Sequence, residues 1–135
     1  MSEEHAPRTV ALVLDPSAIA GFARGSVAVG ELLAEIDAEG DSALVPLPCL
    51  TEAAALIAED ELPWLDILLG HAATQMAVDD PADWRMVAGL RRLVGSYPHA
   101  VAAWLALEHG VDVMTRNPGL YAELGGGGMV LPFDD

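Results

Sequence analysis

Apolar and polar positions fall into blocks along the chain, and the blocks differ in period. Residues 9–14 (TVALVL) form a continuous apolar run, which predicts a short strand buried on both faces. Asp15 and Pro16 end that run. Asp accepts backbone N–H bonds as an N-cap and proline suits the first helical position, so the pair predicts a helix start. A short helix is expected over 17–24. A longer amphipathic one is expected over 27–39, where Leu32, Leu33 and Ile36 recur at helical spacing before Gly40. Residues 42–47 (SALVPL) read as a second strand, which Pro46 and Pro48 require to end early or to lie near an edge. A helix is expected over 50–58, a third strand over 66–69 (DILL), and a helix opened by Asp80 and Pro81 that runs to position 94. Residues 99–109 are apolar nearly all round, as in a buried helix, and Gly110 supplies the stop. The pattern closes with a strand over 111–115 (VDVMT), a short helix from Asn117 and Pro118 to position 124, and a terminal strand over 129–133.

Strands that alternate with helices in this way predict a three-layer α/β/α domain with a five-stranded, mainly parallel sheet. Residues 1–8 are polar and read as a flexible tail, which leaves 9–135 as the domain. No internal repeat or interdomain linker is visible, and the glycine run at 125–128 reads as a flexible connection.

Composition narrows the function classes. The chain has 135 residues, enough for one domain, and 53% of them are apolar, so wholesale disorder is excluded. Twenty-one acids stand against six bases, a net charge of -15, and every base is Arg. That balance counts against a general polyanion-binding surface, because unspecific nucleic-acid affinity comes from phosphate neutralisation. It leaves open a small nucleic-acid substrate held through metal ions. With no Lys there is no phosphate loop, and no G-x-G-x-x-G follows the first strand. The lone Cys49 excludes an intrachain disulfide and a cysteine zinc cluster, and it reads as a small buried apolar side chain. Neither a signal-peptide pattern nor an apolar run of roughly 20 residues is present, so the expectation is a reduced, cytoplasmic protein with no membrane contact.

Ligands of open α/β sheets bind outside the carboxyl ends of the strands. Asp15 and Asn117 follow the first and fourth strands, while Glu52 and His99 lie near helix starts after prolines. Two carboxylates, an imidazole and an amide on one cleft are a donor set for a hard divalent cation. Each also has a structural reading. Asp15 and Asn117 are natural helix caps, Glu52 would favour a helix dipole, and His99 would be a hydrogen-bonded structural histidine. Ser17 and Thr115 either orient metal ligands or cap backbone groups. Arg116 is the best candidate for a phosphate contact, against a solvated role. Arg91 and Arg92 read as a solvated helix face, and Trp64, Trp84 and Trp104 as core or interface. His5, His71 and His109 offer no further ligand.

Three segments share a further pattern: VLDPSAIAGFA at 13–23, LPCLTEAAALI at 47–57 and HAVAAWLALEHGVDVMTRNPGLY at 99–121. Together they resemble the PIN domain, the nuclease module of VapC-type toxins. Asp15 with Ser17, then Glu52 at a helix start, then Thr115, Arg116 and Asn117 match its motifs in order. The resemblance implies a five-stranded parallel sheet with helices on both faces. It also implies a Mg²⁺ or Mn²⁺ site at Asp15, Glu52, His99 and Asn117 that activates water against an RNA phosphodiester. One position departs from the family. An Asp is expected where His99 opens the buried helix, so the site lacks a carboxylate and its metal affinity is expected to be weakened or lost. The implied function is a PIN-like domain with an impaired nuclease site and a binding or regulatory role. The alternatives are an active Mg²⁺- or Mn²⁺-dependent endoribonuclease, the toxin of a toxin–antitoxin pair, and a plain interaction module. The partner classes that follow are an antitoxin-like or other protein, RNA if the nuclease is active, and a second copy through the apolar residues of 64–69.

Overall fold

The computed structural model describes residues 8–124 and 129–135. Its sheet comprises β1 (Val10–Leu14), β2 (Ser42–Pro46), β3 (Thr74–Ala77), β4 (Asp112–Thr115) and β5 (Val130–Pro132) in the order β3-β2-β1-β4-β5. Every pairing is parallel. Six helices connect the strands: α1 (Pro16–Ala23), α2 (Val27–Ala38), α3 (Leu47–Leu56), α4 (Leu62–Leu69), α5 (Trp84–Val94) and α6 (Tyr97–His109). The chain forms a three-layer α/β/α domain. Right-handed crossovers put the helices between β1, β2 and β3 on one face and those between β3 and β4 on the other. In agreement, α1 packs on α2, α3 and α4, while α5 packs on α6, which lies over β1, β2 and β4.

The continuous apolar runs form the central strands because both faces of the sheet are covered. Val13, Leu14, Ala43 and Val45 are fully buried, as are Val101, Ala102 and Ala103 on α6. The Ala-rich face lets α6 sit close to the sheet. Gly110 ends α6 at φ 66°, a left-handed turn that a side chain would strain. Asp15 caps α1 through the Ala18 N–H, with Pro16 in the first turn, as the sequence predicts. No helix among the described residues is long and apolar enough to cross a membrane.

Several expectations need correction. Residues 66–69 are not a strand; they are the second half of α4, where Leu65 and Leu68 are buried at helical spacing. A four-residue apolar run does not distinguish strand from helix, and Pro63 in the first turn favours the helix. The third strand is instead 74–77 (TQMA), whose exposed edge position gives it no apolar signature. β2 does end early, at Pro46, and lies between β1 and the edge strand β3. α3 begins at once with Leu47, and α6 begins at Tyr97, so Pro48 and Pro98 lie in first turns rather than before them. The segment opened by Pro118 is a 3-10 turn (Pro118–Tyr121). Trp64 and Trp84 are not core residues, at 51% and 63% exposed. Only Trp104 is partly buried, with its indole N–H bonded to Asp83 Oδ2 at 3.0 Å. The expected tail falls outside the described residues except for Arg8, which pairs with Asp37 at 2.9 Å. The glycine run at 125–128 lies outside them too.

Candidate functional site

The site is built where β1 and β4 end side by side. Asp15 leaves β1 with its N–H bonded to the Met114 carbonyl of β4, which drops its carboxylate between α1, the start of α6 and the 3-10 turn after β4. The carboxylate is fully buried, so water contributes nothing to its solvation. Protein donors replace water. Oδ1 accepts the Ser17 hydroxyl at 2.7 Å and the Ala18 N–H at 3.1 Å, and Oδ2 accepts the Tyr121 hydroxyl at 2.8 Å. His99 Nε2 stands 4.0 Å from Oδ2, and its Nδ1 shares a hydrogen bond with Ser96 Oγ. The His99 and Tyr121 rings lie tilted by 58° to each other, with 6.0 Å between centroids.

Ser17 and Thr115 knit the two strand ends together. Ser17 Oγ donates to Asp15 and accepts the Arg116 N–H at 2.8 Å, and Thr115 Oγ1 accepts the Asn117 N–H at 2.9 Å. Three sequence candidates point elsewhere. Glu52 lies in the second turn of α3, not at its start, and is exposed. Asn117 is exposed and makes no side-chain cap bond, against the capping expected of it. Arg116 is exposed and lays its guanidinium over the Phe133 ring at 4.7 Å. The structure therefore unites Asp15, Ser17, Thr115 and His99, and leaves the side chains of Glu52, Arg116 and Asn117 outside that network.

The resemblance implies a divalent cation here, and the donor set does not fit one. The oxygens of Asp15 accept from three protein donors, and one of them, the Tyr121 hydroxyl, is itself fully buried. Among the described residues no three His, Cys, Asp or Glu side chains are grouped to hold a metal ion. A hard cation takes six or more oxygen ligands, several of them waters, and a buried carboxylate beside one imidazole supplies few of them.

Tyr121 is the member of this network that sequence reading missed. Its one signal was that a buried tyrosine needs a partner for its hydroxyl. Burial and the Asp15 charge push its phenol well above the usual tyrosine range. Tyr97 is pushed up to about 12, chiefly by its hydrogen bond to Asp79 at 2.6 Å. Burial likewise raises the thiol of Cys49, which donates to the Pro98 carbonyl and is inert as a nucleophile. Tyr97 and Tyr121 are the chain's two tyrosines, so titration at 295 nm is expected to show almost no phenolate at pH 10 in the folded protein. In urea both phenols ionise near pH 10. The raised values stabilise the fold below pH 10, and that stability is lost as the pH climbs above it. Half-ionisation at pH 10 under native conditions would contradict the two hydrogen bonds.

No protein-family model matches the chain, and no curated protein matches it. The likeness to the PIN domain stands on the three segments and on their order alone.

Proposed function

We propose that the chain is a divergent PIN-like domain whose metal-dependent ribonuclease site has become a structural hydrogen-bond network, and that it serves as a protein-binding or regulatory module. One observation carries this reading: the Tyr121 hydroxyl occupies the oxygen of Asp15 that faces His99. A cation held there would compete with the Tyr121 hydroxyl for that oxygen, and it would need water around it. Charge supports the same reading. Of the six arginines, Arg8 and Arg24 pair with Asp37 and Glu61, and Arg85 and Arg116 lie over Trp84 and Phe133. Few bases remain to hold an RNA backbone. The proposed partner is a protein, antitoxin-like or other, in a cytoplasm that keeps Cys49 reduced.

The test is cleavage of single-stranded RNA with Mg²⁺ and then Mn²⁺ at millimolar concentration. The wild type is expected to leave the RNA intact. The double variant His99→Asp, Tyr121→Phe restores the missing carboxylate and opens Oδ2, so it is expected to gain Mn²⁺ binding by calorimetry. Robust cleavage by the wild type, abolished by Asp15→Asn, would establish the alternative reading, an active endoribonuclease of the VapC toxin type.

A further inference from the structure

We infer that the free edge of β3, with the acidic cleft at its end, receives an extended basic segment of a partner protein as an added strand. The inference rests on the binding-module reading above. Among the described residues no strand pairs beyond β3, which ends the sheet order. Its register with β2 fixes which backbone groups are free. The Ala43 N–H bonds to the Ala73 carbonyl, and Val45 pairs opposite Met76 in the parallel ladder. In that ladder Gln75 and Ala77 turn their N–H and C=O groups to β2, so those of Met76 point outward. The Met76 side chain is 44% exposed and Gln75 is exposed beside it.

Sheets usually protect such an edge with Lys, Pro, a bulge or a very short strand. β3 (TQMA) is itself only four residues long, but it carries no charge and no proline, and its register with β2 runs unbroken. The opposite edge is protected: β5 has three residues and ends in Pro132.

Beyond β3 the chain runs through Val78 into Asp79 and Asp80, which line a cleft of about 490 Å³ with Trp84, Val87 and Tyr97. Asp79 and Tyr97 also line a second cleft of about 500 Å³, where Glu52 adds a third carboxylate. Arg91 is the single base in either lining, and among the described residues none of the three acids is in an ion pair. An added strand offers its backbone to Met76, an Arg or Lys to these carboxylates and an apolar side chain to Trp84. Charge decides the occupant. A second copy would bring another -15 to the same edge, whereas a basic segment complements it.

The probe is a synthetic peptide of about eight residues that alternates Arg and Val, with an alternating Glu and Val peptide as its counterpart. Calorimetry is expected to show binding of the basic peptide only, weakened about tenfold in Asp79→Asn, Asp80→Asn. Asn keeps both acceptors, so the Tyr97 bond and the turn cap survive. A rise in salt from about 50 to 500 mM is expected to weaken the wild-type complex as well. Amide exchange at Met76 is expected to slow at least about tenfold in the complex. No binding, equal binding of the acidic peptide, or binding without protection at Met76 would overturn the inference. So would protection of Met76 that grows with protein concentration alone, which would assign the edge to a second copy. The RNA and Mn²⁺ assays do not touch β3, so failure here and failure of the proposed function are separate outcomes.

Discussion

Tyr121→Phe is expected to lower the unfolding free energy by about 1–3 kcal/mol, although it removes one oxygen and keeps the ring. The ring packs in a fully buried place and phenylalanine fills it equally. What changes is the carboxylate. Asp15 Oδ2 loses its 2.8 Å donor and stays in a fully buried site, with His99 Nε2 no closer than 4.0 Å. A buried acceptor without a partner costs its full desolvation, more when it is charged. Urea unfolding checks the magnitude. An unchanged midpoint would mean that the hydroxyl contributes nothing to Asp15.

Asp15→Ala is expected to cost more, about 3–5 kcal/mol, because it leaves buried donors unpaired at about 1–3 kcal/mol each. Three donors converge on this carboxylate: the Ser17 and Tyr121 hydroxyls and the Ala18 N–H. Alanine strands the last two inside the domain. It also removes the N-cap of α1, a loss of about 1 kcal/mol on its own and part of the same total. The expected sign is informative. In an open metal site the clustered carboxylates repel one another, and removing one commonly stabilises the fold at the expense of activity. Here Asp15 holds together β1, α1 and the turn after β4, so its removal destabilises.

Much of this was legible in the sequence because the central strands are continuous apolar runs and the helix starts carry caps. TVALVL and VDVMT mark β1 and β4 through burial on both faces, and Asp15 with Pro16 marks α1 by cap chemistry. β3 was illegible for the converse reason: TQMA is exposed at an edge, so no core dictates its pattern. DILL misled because Leu65 and Leu68 supply its burial from a helix. At the site, local chemistry was readable and convergence was not. Asp15, Ser17 and Thr115 meet because β1 and β4 are neighbours, a pairing that separates them by almost a hundred positions in the chain. Tyr121 reaches Asp15 only through the 3-10 turn that brings the chain back over the strand ends. No motif advertises that return. Glu52 had the right residue type near a proline, but α3 starts at Leu47 and carries it past the first turn.

The most direct test is urea unfolding of the wild type and of Asp15→Ala, each with and without 1 mM Mn²⁺ (on the order of the concentrations at which metal nucleases bind their cations). If the Asp15 network is structural, Asp15→Ala loses about 3–5 kcal/mol in both conditions and Mn²⁺ leaves the wild-type midpoint unchanged. A wild type stabilised by Mn²⁺, together with an Asp15→Ala variant more stable than it in the absence of metal, would contradict that structural role.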